Sequence, residues 1–205
     1  MPHPLPVTLV IDTAAPRLQL ALLRADANVD VSIDELATGH AEILFDRIQA
    51  LLARNGVGYD DLGRVGVTTG PGSFTGLRIG LSAARGIALA RQIPAIGVPG
   101  LLAISLSAAP AGSPIAVLLD ARRGEAYFQR FSAPGMPEAP AQLLAMETAR
   151  AAVPEGALLM ESPFPDIEAL ARFVAGADPV AFPPEAAYVR DADAKPQTAK
   201  RIARI

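Results

Sequence analysis

The sequence predicts an α/β fold made of two related half-domains, each built on a mixed β-sheet with flanking helices, and three observations predict it. Over residues 7–98 the hydrophobic period switches in the order β-β-β-α-β-α-β. A hairpin followed by crossovers demands a sheet with both antiparallel and parallel neighbours. A strand, an aspartate, a tight turn and a second strand then occur twice, as Val10-Ile-Asp-Thr-Ala-Ala-Pro-Arg-Leu-Gln-Leu-Ala-Leu-Leu23 and as Leu118-Leu-Asp-Ala-Arg-Arg-Gly-Glu-Ala-Tyr-Phe-Gln-Arg-Phe131, which points to a repeated unit. Finally, the 205 residues are 51% apolar yet include 19 prolines and 17 glycines. A chain of this length buries roughly 70% of its unfolded surface, so it needs neither disulfides nor a structural metal, and its breakers serve to punctuate the elements.

Residues 7–11 form a continuous apolar run with β-branched members that stops at Asp12-Thr13, and residues 18–23 resume it, which makes a hairpin. Residues 29–33 alternate apolar and polar as a third, half-buried strand does. Leu44, Ile48, Leu51 and Leu52 fall on one helical face, with Thr38 as cap and Asn55-Gly56 as stop, so the first helix covers 40–54. A fourth strand is predicted over 65–69, a helix over 75–91 after the turn Gly70-Pro-Gly-Ser73, and a fifth strand over 93–98. Pro99-Gly100 divides an N-terminal half-domain, 1–99, from a reduced C-terminal one, 100–195, with a tail at 196–205. The second half offers a helix near 101–109, a strand over 115–119, an irregular stretch over 133–141 that carries three prolines, and a short amphipathic helix over 166–175.

Composition narrows the function. With 18 Lys and Arg against 21 Asp and Glu, no electrostatic footprint exists for gripping a polyanion unaided. The absence of cysteine removes thiol nucleophiles, disulfides and cysteine-ligated metals. Met1-Pro-His-Pro-Leu-Pro6 lacks a basic region followed by an apolar one, and no apolar run approaches spanning length. A cytoplasmic protein with no membrane association is expected.

The sharpest motif is Gly70-Pro-Gly-Ser-Phe-Thr-Gly-Leu-Arg-Ile-Gly80. Glycines, a stiffening proline and a helix N-terminus together form either a purely structural turn or an anion cradle, since unpaired N–H groups and the positive dipole end point the same way. Asp12, Thr13, Gly70, Gly72, Ser73, Thr75 and Arg78 are the residues such a loop would bring near an anion or nucleotide. The spacing matches neither the dinucleotide fingerprint nor a P-loop. Gly76, Gly80 and Ala84 recur every four residues, a stripe that admits close approach by another helix, either this chain's own first helix or one from a partner. His40 has Glu42 two residues on, but position 44 is leucine, so the i, i+4 histidine pair of a metal-binding helix is missing. Asp12 and Asp120 close strands beside turns, where carboxylates serve either chemistry or their own backbone. Gly72-Ser-Phe-Thr-Gly76 is one residue too long for a hydrolase nucleophile elbow. No catalytic or metal-ligating residue is assigned.

Ile11-Asp-Thr13, His40-Ala-Glu42, the 70–80 motif and Pro184-Glu-Ala-Ala-Tyr-Val-Arg190 together resemble the TsaB (YeaZ) family of tRNA threonylcarbamoyladenosine biosynthesis proteins. These belong with the TsaD-like, former glycoprotease group. The resemblance covers residues 5–130 and 183–195. It implies the actin-like ATPase fold, also called ribonuclease H-like, and a non-catalytic subunit that scaffolds a catalytic TsaD-like homologue acting on the adenosine next to the tRNA anticodon. It implies a small TsaE-like ATPase as third component, tRNA bound only through the complex, a homodimer when the chain is alone, and no cofactor of its own. ATP and a divalent metal would belong to the partner subunits. The partner would dock on helices 40–54 and 75–91 through His40, Glu42, Leu44, Ile48, Leu51, Gly76, Leu77, Gly80, Leu81 and Ala84. The alternatives are an active ATPase or kinase of this fold, or a glycoprotease-type metallopeptidase. Leu44 and the glycine-poor stretch Leu159-Met-Glu-Ser-Pro-Phe-Pro165 speak against both.

Overall fold

A computed structural model of the chain describes residues 5–36, 38–109 and 112–187. The tail over 196–205, the end of the second half-domain, and Tyr188 to Arg190 of the last motif lie outside the described residues.

Strands β1 (Thr8–Asp12), β2 (Arg17–Leu23) and β3 (Val29–Glu35) form a meander, followed by helix α1 (His40–Arg54), β4 (Arg64–Thr68), α2 (Phe74–Arg91) and β5 (Ala95–Val98). The sheet runs β3-β2-β1-β4-β5, antiparallel between β1 and β2 and between β2 and β3, parallel between β1 and β4 and between β4 and β5. This is the predicted order and the predicted mixture. Alternation in β1 sorts its side chains between two cores. Leu9 and Ile11 join Leu44, Ile48, Leu51, Leu81 and Ala84 beneath α1 and α2, while Val10 faces the other side.

The second half repeats the plan in shorter form. Helix α3 (Gly100–Ser105) leads to β6 (Ile115–Arg122), β7 (Glu125–Ala133), β8 (Met136–Pro137), β9 (Gln142–Ala145), α4 (Met146–Ala151), β10 (Leu158–Met160) and α5 (Ile167–Gly176). Here β6 is antiparallel to β7 and parallel to β10, as β1 is to β2 and β4. Two mixed sheets of one plan, flanked by helices, are the duplicated architecture of the actin-like ATPase fold. The apolar cluster that joins the sheets contains Val10 and Ile96 from the first, Val117 and Phe131 from the second, and Leu170 and Val174 of α5. Arg64 fastens α5 to the first sheet by donating from Nη1 to the carbonyls of Val174 and Ala177, both at 2.9 Å.

Four local expectations are corrected. Thr38 is not the cap of α1: Gly39 holds that place at φ 92° with no side-chain hydrogen bond, because the left-handed turn puts Thr38 one residue too early. Strand β5 starts at Ala95, not at 93, since the Ile93 N–H is spent on the Ala88 carbonyl that closes α2, at 3.0 Å, and Pro94 has no N–H for the ladder. The helix expected over 101–109 ends at Ser105, where its hydroxyl turns back to the Leu102 carbonyl at 2.7 Å. The stretch over 133–141 is not wholly irregular, because Met136–Pro137 pairs with β7.

Candidate functional site

The two aspartates singled out by the repeat end β1 and lie near the end of β6, and each holds its own turn in the same way. Asp12 Oδ1 accepts from the Ala14 N–H at 3.1 Å, and Asp120 Oδ1 accepts from the Arg122 N–H at 2.7 Å. Both are hydrogen bonds to the residue two positions on. Asp12 is buried and also accepts from Thr68 Oγ1 at 2.6 Å and Gln19 Nε2 at 3.1 Å, whereas Asp120 is exposed. The two turns face each other across a cleft of about 530 Å3 that is lined also by Ser73, Tyr127, Glu161 and Pro163.

The anion-cradle reading of the 70–80 loop is not what the packing favours. A side chain on Gly76 would place its Cβ 2.0 Å from the Thr13 carbonyl oxygen, and one on Gly72 would sit 2.5 Å from the Ala14 carbonyl oxygen. These glycines exist to let the β1–β2 turn press against the first turn of α2. Three of the local N–H groups are spent within the chain: Ser73 N donates to Ala14 O at 2.7 Å, Leu77 N to Ser73 O at 2.8 Å and Gly76 N to Ser73 Oγ at 3.3 Å. Thr13 Oγ1 donates to Gly76 O at 2.7 Å. The Thr13 and Ala14 carbonyls thus crowd the loop and the first turn of α2, an arrangement that disfavours an anion there. Thr75 and Arg78 are turned away from the cleft altogether. They line an outer groove between α1 and α2, where the Arg78 guanidinium lies over the Phe74 ring at 3.7 Å. Gly70, at φ 100°, shapes the turn.

The residues expected to meet a partner are corrected in the same sense. Leu44, Ile48, Leu51, Leu77, Leu81 and Ala84 are 6% exposed or less, Gly76 and Gly80 are buried, and His40 is 7% exposed. Only Glu42 of that set is exposed. The small-residue stripe admits the chain's own Thr13, whose Oγ1 would stand 2.5 Å from a Cβ on Gly80. The outward surface of the two helices is carried by other side chains: Phe45 at 54% exposure and Phe74 at 56%, with Ile79, Ser82 and the half-buried Tyr59 between them. Burial pushes the Tyr59 phenol above its ordinary pKa. Phe45 was legible as an apolar residue out of phase with the Leu44 and Ile48 stripe. The anchoring of Asp12 by Gln19 and Thr68 had no sequence signal.

A metal does not fit this chain's residues at the first helix. His40 Nε2 is buried with no hydrogen-bond partner among the described residues, and the position one turn on is Leu44, inside the core. Among the described residues no group of three His, Cys, Asp or Glu could hold a metal ion. No helix among them is long and apolar enough to cross a membrane.

Comparison with known proteins gives a consistent result. The family model of TsaD, tRNA N6-adenosine threonylcarbamoyltransferase, matches residues 34–157. The tRNA threonylcarbamoyladenosine biosynthesis protein TsaB of Escherichia coli is 34% identical over 125 residues, 60% of this chain and 54% of that protein. The protein of the same name from Bacillus subtilis is 34% identical over 119 residues, 58% and 52%. The chain thus spans about half the length of the curated relatives it matches. Among solved structures, YeaZ from Pseudomonas aeruginosa superimposes with a TM-score of 0.72 at 25% identity, covering 83% of this chain and 91% of that one.

Proposed function

Since the chain belongs to the TsaD family of tRNA N6-adenosine threonylcarbamoyltransferases, we propose that it is a TsaB-type, non-catalytic subunit of tRNA threonylcarbamoyladenosine synthesis. In this reading it scaffolds and activates a catalytic TsaD-like homologue. The observation that carries the proposal is the closed first turn of α2, where the Thr13 carbonyl stands 2.0 Å from any Cβ at Gly76. A nucleotide phosphate bound at that helix end would have to displace backbone, and the first helix carries Leu44 where a second metal-binding histidine would stand. Both observations speak against the alternative readings as an ATPase or kinase and as a metallopeptidase.

The outer face of α1 and α2 supports docking of the catalytic homologue. Exposed Phe45 and Phe74 with the stacked Arg78 are residue types enriched in protein interfaces. The same face serves a homodimer when the homologue is absent. ATP and a divalent metal reside in the partner subunits, a TsaE-like ATPase joins the assembly, tRNA is held by the complex, and the reaction takes place in the cytoplasm. The test is reconstitution of tRNA modification from the catalytic homologue, the small ATPase and a supply of threonylcarbamoyl-adenylate. Modification falls to background when this chain is omitted. Full activity without it would refute the proposal.

A further inference from the structure

Strand β3 ends the first sheet among the described residues, and its backbone alternates in what it offers. The Arg24 N–H donates to Asn28 O at 2.9 Å and the Leu36 N–H to Pro16 O at 3.3 Å, at the two ends of an unbroken antiparallel register in which Leu23 meets Val29 and Arg17 meets Glu35. Hydrogen-bonded pairs alternate along such a ladder. Asp30, Ser32 and Asp34 therefore spend their N–H and C=O groups on β2, and those of Val29, Val31 and Ile33 point away from the sheet. Seven residues of edge, with Ile33 51% exposed, are a template for a further strand.

One of the outward groups is taken by a side chain. Arg54, the last residue of α1, donates from Nη2 to the Val31 carbonyl at 2.8 Å. Asp30 holds the same guanidinium through Nε and Nη2, both at 2.7 Å, and Asn55 Nδ2 steadies Asp30 Oδ2 at 2.6 Å. Arg47, earlier in α1, donates from Nε to Asp34 at 2.9 Å and reaches no backbone group among the described residues. The side-chain pattern of β3 selects what would pair with it. When a second copy adds its own β3 antiparallel about Val31, the two Val31 residues form the central hydrogen-bonded pair, Val29 faces Ile33 of the second copy and Asp30 faces its Ser32. Apolar then meets apolar on the face that packs towards α5, and no two carboxylates are opposed. A pairing centred on Ser32 sets Asp30 against Asp34 instead. The carbonyl that Arg54 covers thus belongs to the central pair of the favoured register.

We infer that the edge of β3 is an acceptor for β3 of a second copy of this chain, and that Arg54 keeps it closed by occupying the Val31 carbonyl. Because the protein has no cysteine, Val31→Cys reports this pairing in the full chain. The central pair sets its Cα atoms about 5.5 Å apart, within the span of a disulfide. Combined with Arg54→Met, it gives an intermolecular disulfide as the main product of mild oxidation. Val31→Cys alone stays reduced, and so does Val31→Cys with Arg47→Met, which removes the neighbouring ion pair and leaves the Val31 carbonyl covered. The link reads this edge alone, whatever the outer face of α1 and α2 does. An Arg54→Met variant that stays reduced, equal linking in all three, or linking through Ser32→Cys in place of Val31→Cys overturns the inference. A half-exposed ion pair adds little to folding, so Arg54→Met keeps the melting temperature of the parent chain to within a few degrees. Amide hydrogen exchange gives a second readout without any cysteine. In Arg54→Met the amides of Val29, Val31 and Ile33 become slow to exchange, and unchanged exchange at all three overturns the inference.

Discussion

Replacing Gly76 by alanine tests the contact on which the functional reading rests. The added Cβ would meet the Thr13 carbonyl oxygen at 2.0 Å and its carbon at 3.2 Å. Both are backbone atoms, so no rotamer change relieves the overlap and the β1–β2 turn must retreat from α2. Overpacking of this kind costs about 1–3 kcal/mol. The retreat also breaks the 2.7 Å bond from Thr13 Oγ1 to Gly76 O, and stranding a buried hydroxyl costs about 1–3 kcal/mol. Alanine returns about 1 kcal/mol of helix propensity. The net is a destabilisation of about 3 kcal/mol, or a fall in melting temperature of about 6–12 °C for a chain of this size. The matched control is Gly86→Ala in the same helix, where a Cβ meets nothing within 4 Å and stability should rise by up to about 1 kcal/mol. Urea and thermal unfolding followed by circular dichroism read both variants. If Gly76→Ala unfolds with the same midpoint as the parent chain, the turn does not close on the helix, and the argument against a phosphate site fails.

The inward and outward faces of α1 should separate in a paired experiment. Leu44→Ala removes a core side chain that is 1% exposed and should cost about 2–5 kcal/mol of folding stability. Phe45→Glu, one residue on, should change stability by no more than about 0.5 kcal/mol while weakening association with the catalytic homologue by about 30-fold in titration, as loss of an interface anchor worth about 2 kcal/mol does. Unchanged affinity for Phe45→Glu would move the interface elsewhere. A pH effect is expected at the edge strand. Hydrogen bonding from Arg54 holds the Asp30 carboxyl below its ordinary range, so the pair stabilises the fold above about pH 4 and is lost as pH falls through the lowered folded-state value. Asp30→Asn should therefore cost less than about 1 kcal/mol near neutrality, and its gap from the parent chain should close in acid. A gap that stays constant down to pH 2 would show that the charge plays no part.

Much of the first half-domain was legible because its signals are local. The apolar runs of β1 and β2, the alternation in β3 and the spacing of Leu44, Ile48 and Leu51 each report one buried face, and the order of elements constrains the pairing of strands. The site was less legible, since a glycine admits close approach without naming what approaches. Gly76 and Gly80 read equally well as a cradle, a partner's seat or an internal contact, and the answer lies at Thr13, 63 residues from Gly76 in the chain. Phe45 shows the converse. Its position out of phase with the core stripe was visible, but its meaning depended on α2 placing Phe74, Ile79 and Ser82 across the same groove.

The order of strands and helices, the duplicated turn aspartates, the missing cysteine and the leucine at position 44 are properties of the sequence alone, because each follows from residue type and spacing along a few turns of chain. Which face of α2 is interior and what fills the space before its first turn were decided by tertiary packing. These depend on two segments meeting at van der Waals distance. The backbone of residues 13–14 meets α2 at its glycines, α5 returns to the first sheet under Arg64, and the chain at 182–187 is anchored across the ends of β4 and β5. No periodicity within either partner of such a contact encodes how closely the other will come.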